Sequence, residues 1–339
     1  MSAALRILSG GVLTTVQDTG RPGAVRYGVP RGGAMDPFAL LAANRLLGNP
    51  PGAAALEITA GGASFELLRP MVIAVTGADL GATWNGRLLP LWTAAAARRG
   101  DQIALQGRPS PWGARAYLAL QGGVDVPLVL GSRSTHLSGG FGGLHGRRLR
   151  AGDGIGALDT DTEGVEQGGS GSDPVRLAGR FWPADARPLY GPEPTLRFVP
   201  GPHLEHLAPG ALAALGGAAL RVSVTSNRMG YRLEGAHLPH AAAVSLPSLG
   251  VIPGAIQVPP GGAPILLMAD AQTTGGYPIA GCVIAADLPL AAQLLPGDAL
   301  RLTPVTEEQA LAAYAAYAGW RAAPVEEDGA LELLALAGA

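Results

Sequence analysis

Residues 272–278, Gln272-Thr273-Thr274-Gly275-Gly276-Tyr277-Pro278, gather polar side chains on a backbone freed by two consecutive glycines. Thr hydroxyls and a Gln amide supply directional donors and acceptors, and glycine lets a ligand approach the backbone N–H groups. Apolar runs at 264–268 and 283–286 flank the loop, so strands are expected to hold it on both sides. Taken alone, a Gly-Gly pair reads equally as a polar turn between strands.

Four further segments have the composition of binding loops: Gln17-Asp18-Thr19-Gly20-Arg21, Gly32-Gly33-Ala34-Met35-Asp36 with Asn44 after it, Gly131-Ser132-Arg133-Ser134-Thr135, and Ser226-Asn227-Arg228-Met229-Gly230. Three of them set an Arg beside glycine or small hydroxyl residues. A planar fork of donors with close backbone N–H groups suits a carboxylate, carbonate or phosphate. Each segment also has a structural reading. Asp18 and Arg21 can pair across a turn, Asp36 can serve as a helix N-cap, and Ser-x-Arg is common in exposed loops.

All 24 basic residues are Arg, and none is Lys. This excludes a biotinyl-lysine, a Schiff-base lysine and a P-loop that needs Lys on nucleotide phosphates. The sequence contains no G-x-S-x-G elbow and no Ser/His/Asp set that spacing supports. Its six histidines lack metal-ligand spacing, so no metal site is predicted. The single cysteine, Cys282, lies in an apolar run and reads as a small buried hydrophobe. Residues 139–143, Gly-Gly-Phe-Gly-Gly, read as a flexible lid or turn over the Arg133 loop.

The elements that must position these residues are mainly β. At 339 residues the chain can form two domains, and its 51 Gly and 29 Pro leave little room for long helices, favouring β-rich barrels or sandwiches. Three phrases, Gly100-Asp101, Gly152-Asp153 and Gly297-Asp298, each read as a turn feeding a strand. Residues 5–18 read as a β-hairpin interrupted at Gly10-Gly11. Asp36-Pro37 opens a helix over 38–47, and Thr306 with Gln309 has capping-box spacing ahead of an Ala-rich helix to Ala318. The division expected is an N-terminal barrel at 1–158, a Gly/Ser/Pro-rich linker at 159–194, a C-terminal barrel at 195–305 and a helical tail at 306–339. The net charge of −2 gives no footprint for nucleic acid or an anionic membrane, and no apolar run approaches a membrane span. A soluble cytoplasmic protein is expected.

In order, the motifs at 14–21, 28–36, 43–44, 117–123, 131–135, 254–259 and 272–278 resemble the allophanate hydrolase subunit 2 family, also called the biotin-dependent carboxyltransferase or KipA family. The resemblance runs from about residue 5 to 305 and implies two cyclophilin-like β-barrels. It also implies a subunit of an ATP-dependent 5-oxoprolinase, which opens the lactam of 5-oxoproline to glutamate. Partners would be a B-like (KipI-like) subunit and an A-like subunit, with ATP and Mg acting at the level of the complex and no covalent biotin on this chain. On this reading Arg133 and Arg228 hold carboxylate or phosphoryl oxygens, and Gln257, Thr273, Thr274 and the Gly275 and Gly276 amides orient the amide or lactam. Gln17, Asp18, Arg21, Asp36, Asn44, Ser134, Thr135, Gln272 and Tyr277 complete the expected substrate-binding set. Two other roles stay open: the carboxyltransferase half of a urea-carboxylase-like enzyme with biotin on another chain, and a regulator that antagonises a kinase inhibitor.

Overall fold

The computed structural model describes residues 3–158, 177–242 and 246–327. The chain forms two compact units: Met1–Gly20 with Pro37–Arg187 and Arg321–Ala339, and Arg21–Asp36 with Pro188–Trp320. The units therefore interleave where the sequence suggested consecutive domains. Within the expected linker, residues 159–176 lie outside the described residues. Leu177–Phe181 is a strand of the first unit, antiparallel to Thr93–Ala97. The segment 21–36, expected in the first barrel, belongs to the second unit.

Among the described residues the first unit carries two seven-stranded sheets. One runs through Leu5–Gly10, Ala63–Leu67 and Gln102–Leu105, the other through Leu13–Gln17, Ala55–Thr59, Arg115–Leu120 and Met71–Gly77. Leu5, Ile7, Phe65 and Ile103 from the first sheet and Leu56, Ile58, Ile73 and Leu118 from the second share one buried core. Consequently residues 5–17 are not a hairpin. Leu5–Gly10 and Leu13–Gln17 enter different sheets, and the chain turns between them at Gly11, whose φ is 59°. A Cβ on Gly10 would lie 2.2 Å from the Leu149 carbonyl oxygen, so this corner has no room for a side chain.

The second unit is a closed seven-stranded barrel. Its ring is sealed by parallel pairing of Thr195–Pro200 with Ala299–Pro304, and Leu196, Phe198, Leu233, Ile256, Leu266 and Leu302 fill the interior. Alternation is plain in Ala299–Pro304, where Leu300 and Leu302 point inward between exposed Arg301 and Thr303.

The three Gly-Asp phrases build one device. Gly100, Gly152 and Gly297 take φ of 90°, 89° and 91°, and the following aspartates accept hydrogen bonds from the N–H groups of Arg98, Arg150 and Leu295 at 2.7, 2.8 and 2.8 Å. Each turn feeds a strand. The helix expected at 38–47 is α1, Pro37–Leu46. Of the later helices α2 is Ala211–Gly217, α3 Leu288–Ala291 and α4 Glu307–Ala322. At the start of α4 the Thr306 N–H donates to Gln309 Oε1 at 2.9 Å and the Gln309 N–H to Thr306 Oγ1 at 3.2 Å, the expected capping box. No described helix is long and apolar enough to cross a membrane.

Candidate functional site

In the first unit the loop 131–135 is organised by Asp18 at the end of Leu13–Gln17. Asp18 Oδ1 accepts from the Gly20 N–H at 2.7 Å, from Ser132 Oγ at 2.6 Å and from Ser134 Oγ, while Oδ2 accepts from the Arg133 N–H at 2.6 Å. The Asp18 N–H returns a bond to Ser134 Oγ at 2.9 Å, and the Thr135 N–H and hydroxyl both donate to the Val16 carbonyl. Asp18, Ser134 and Thr135, expected to touch substrate, thus tie the loop to the sheet. Their capacity is occupied by the protein itself. Gln17 is fully buried and donates to Thr15 Oγ1 and to the Thr135 carbonyl, leaving its Oε1 without a hydrogen-bond partner among the described residues.

Arg133 keeps more freedom. Its Nη2 pairs with Asp125 Oδ1 at 3.2 Å, and its side chain is 23% exposed. The 139–143 stretch beside it is tightly bonded. His136 and Phe141 exchange backbone hydrogen bonds and stack at 5.0 Å, and the Gly143 N–H donates to the Arg133 carbonyl at 3.0 Å. A Cβ on Gly143 would lie 2.0 Å from Thr135 Oγ1. Of the lid or turn expected here, the structure shows a packed turn in which Gly139 and Gly143 leave no room for a side chain.

In the second unit Arg228 is buried against Asp270, with Nε to Oδ2 at 2.9 Å and Nη2 to Oδ1 at 3.1 Å, and it also donates to the Gly33 carbonyl. Arg228 was expected to hold a substrate anion; in the structure a carboxylate of this chain occupies its fork. Arg21 is buried in the same region. The Gly32 N–H donates to the Ala269 carbonyl at 3.1 Å, and a Cβ on Gly32 would meet Arg21 Nη1 at 3.1 Å and Asp270 Oδ1 at 3.6 Å. Arg21, Gly32, Gly33, Arg228 and Asp270 together fasten the segment 21–36 to the barrel.

Asp36 and Asn44 also have structural partners. Asp36 Oδ2 accepts from Tyr190 Oη at 2.9 Å and Gln293 Nε2 at 2.8 Å. Asn44, in α1, donates to the Ala53 carbonyl at 2.7 Å and accepts from Asn49 at 3.0 Å, closing the turn after the helix.

The 272–277 loop is different. It leaves the barrel after Ile265–Leu267, forms a two-residue pairing of Thr274–Gly275 with Leu249–Gly250, and re-enters at Ile279–Val283. Thr274, Gly276 and Tyr277 are exposed, and Thr273 is half-buried. Beneath it Gln257, on Ala255–Gln257, is buried, and its Oε1 accepts from Gln272 Nε2 at 3.0 Å. Two facing amides form the polar floor of an exposed loop, an arrangement complementary to an amide ligand, which itself has one donor side and one acceptor side.

Sequence reasoning missed Asp270 and Glu57. Asp270 stands two residues before the loop at the end of an apolar run, a signal that was readable. Glu57 lies buried in Ala55–Thr59 and accepts from Tyr117 Oη at 2.7 Å, and its position as the one charged residue of a mostly apolar strand was its only mark. Cys282 is half-buried, and burial pushes its thiol pKa up, consistent with a packing residue. Among the described residues no three His, Cys, Asp or Glu side chains gather as a metal-ion site.

Residues 27–304 match the model of the carboxyltransferase domain, subdomain A and B. The chain is 39% identical over 315 residues to the C component of 5-oxoprolinase from Escherichia coli (strain K12), covering 91% of this chain and 94% of that protein. It is 31% identical to the urea amidolyase of Lachancea kluyveri, with 91% of this chain matching 17% of that much longer protein. The crystal structure of Kluyveromyces lactis urea carboxylase superposes with a TM-score of 0.83 and 29% identity over 94% of this chain and 29% of that one. The arrangement of its motifs, its barrel and this match over most of its length lead to one conclusion: the chain belongs to the carboxyltransferase domain family, subdomain A and B.

Proposed function

We propose that this chain is the C component of an ATP-dependent 5-oxoprolinase, converting 5-oxoproline to glutamate together with A-like and B-like subunits in the cytoplasm. The observation that carries the reading is similarity along nearly the full length of the Escherichia coli protein, with no large part of either chain left over. The 272–277 loop supports it chemically, because the Gln257–Gln272 amide pair and the adjacent backbone N–H groups suit a lactam.

A lactam carbonyl is a poor electrophile. Phosphoryl transfer to its oxygen would make attack by water feasible, and ATP with Mg would supply that chemistry in the complex. The sequence has no Lys for a phosphate loop of the type that needs one, and ATP with Mg is placed at the level of the complex. The chain's own part is to bind and orient the substrate. Gln257, Thr273, Thr274 and the Gly275 and Gly276 amides hold the lactam, and Arg133 holds a carboxylate or phosphoryl oxygen.

The test is ATP-dependent release of glutamate from 5-oxoproline by the chain alone, with the B-like subunit, and with both partners. Glutamate is expected only from the complete mixture, and turnover by the chain alone would overturn the reading of it as one part of a larger enzyme. A second reading is favoured by the fold shared with urea carboxylase: carboxyl transfer from biotin carried on another chain to urea or a related amide. A complete mixture inactive on 5-oxoproline but active with biotinylated carrier would select it.

A further inference from the structure

Gln257 presents an unusual combination of burial and unmet bonding. Its side chain sits in a residue only 2% exposed, yet its Nε2 has no hydrogen-bond partner among the described residues. Buried donors are rarely left unpaired, because desolvating one without a partner costs about 1–3 kcal/mol. Gln272 Nε2 donates to Gln257 Oε1 at 3.0 Å, so the carbonyl end of Gln257 faces Gln272 and its NH2 end faces Gly275. With Gln272 held as it is, rotating Gln257 alone by half a turn would set one NH2 against another.

Gly275 completes the cradle. A Cβ there would lie 2.5 Å from Gln257 Nε2 and 3.6 Å from Gln272 Nε2, so any side chain would intrude on the amide pair. The cover is slight: Thr274–Gly275 pairs only with Leu249–Gly250, in a two-stranded sheet distinct from the barrel. A two-stranded ribbon of this length contributes little stability of its own.

We infer that Gln257 Nε2 donates to the amide- or ureido-carbonyl oxygen of the ligand, and that Gln272 is a positioning residue that sets the donor polarity of Gln257. This rests on the site assigned under the proposed function but not on the identity of the substrate. The carbonyl oxygen could come from 5-oxoproline, from urea or from the ureido ring of biotin, and Gln257 meets the same acceptor in each case.

Gln272→Glu tests the polarity directly. A carboxylate at 272 accepts rather than donates, so it keeps a hydrogen bond to Gln257 while turning the Gln257 carbonyl toward Gly275. Because the added charge alone would repel the 5-oxoproline carboxylate, Gln272→Leu, which removes the donor without adding charge, is measured beside it and should weaken binding as well. The measurement is equilibrium dialysis of radiolabelled 5-oxoproline, urea or biotin against the assembled subunits without ATP, with thermal melts alongside. Wild type is expected to bind at least one of the three. Gln272→Glu should weaken that binding roughly tenfold or more at an unchanged melting midpoint, and Gln257→Leu should weaken it at least as far. Binding of urea or biotin alone, lost in Gln272→Glu, would uphold the donor and displace the 5-oxoprolinase reading. Binding unaffected by Gln272→Glu, or binding of none of the three, would overturn the inference, while glutamate release by the complete mixture would then still support the proposed function.

Discussion

Loops 131–135 and 272–277 have similar compositions and opposite bonding. In the first, Ser132, Arg133 and Ser134 all donate to Asp18, and the turn at 139–143 is bonded over it. In the second, the buried Gln257 Nε2 has no partner among the described residues and lies under a loop whose side chains at 274 and 277 are exposed, whereas the unpartnered Gln17 Oε1 beside the first loop lies in a fully buried residue. A Ser/Thr/Gly/Arg composition therefore marks a polar loop without saying whether its groups serve the fold or a ligand. The distinction lies in which donors and acceptors the protein has already satisfied.

The largest effect expected is at the buried Arg228–Asp270 ion pair of the second unit. Arg228→Ala would leave Asp270 buried and uncompensated, costing about 3–5 kcal/mol, so chemical denaturation should show loss of stability before any loss of ligand affinity. An unchanged unfolding midpoint with lost turnover would restore Arg228 to the substrate site. Next is Gly143→Ala, which combines a φ of 53° with a Cβ 2.0 Å from Thr135 Oγ1 and should destabilise by about 1–3 kcal/mol. A melt indistinguishable from wild type would show that the first loop is looser than its hydrogen bonds indicate.

The adjacent glycines sharpen the comparison further. Sequence treats Gly275 and Gly276 alike, yet a Cβ at Gly276 meets only the Leu246 carbonyl at 3.3 Å and Ser248 Oγ at 3.9 Å, whereas at Gly275 it meets Gln257 Nε2 at 2.5 Å. Gly276→Ala should change stability by no more than about 0.5 kcal/mol, and Gly275→Ala should reduce ligand binding by dialysis more than it reduces stability. The reverse order would move the binding surface to Gly276.

A smaller effect concerns acid. Hydrogen bonds from Arg147 hold the Asp153 carboxyl below the usual carboxylate range, at one of the Gly-Asp turns of the first unit. Because the folded-state pKa is the lower one, this contribution is present above the unfolded value of about 3.9 and is lost as pH falls through the folded value. Acid titration of Asp153→Asn should therefore show a shallower loss of stability below about pH 4 than wild type.

Local rules recovered the elements whose signals are local. The Gly-Asp turns, the start of α1 at Pro37 and the Thr306/Gln309 capping box each depend on residues within a few positions, and each formed as read. Pairing over long separations was not legible. Asp18 meets Ser132 and Ser134 more than 110 residues away, Arg228 meets Asp270 42 residues away, and Leu5–Gly10 pairs with Ala63–Leu67 instead of its sequence neighbour. The loop 272–277 stood out because its chemistry is contiguous. The partnering that separates Asp18 from Gln257 is a property of the folded chain.

The most direct measurement of the contrast sets Asp18→Asn beside Gln257→Leu in the reconstituted enzyme, recording the thermal midpoint and kcat/KM for 5-oxoproline for each. Asp18→Asn replaces an acceptor facing the Arg133 N–H, so it should lower the midpoint while the folded fraction keeps near-normal kcat/KM. Gln257→Leu should keep the midpoint and lose roughly tenfold or more in kcat/KM. Full activity in Gln257→Leu, or lost turnover at an unchanged midpoint in Asp18→Asn, would contradict the assignment of Asp18 to the fold and of Gln257 to the ligand.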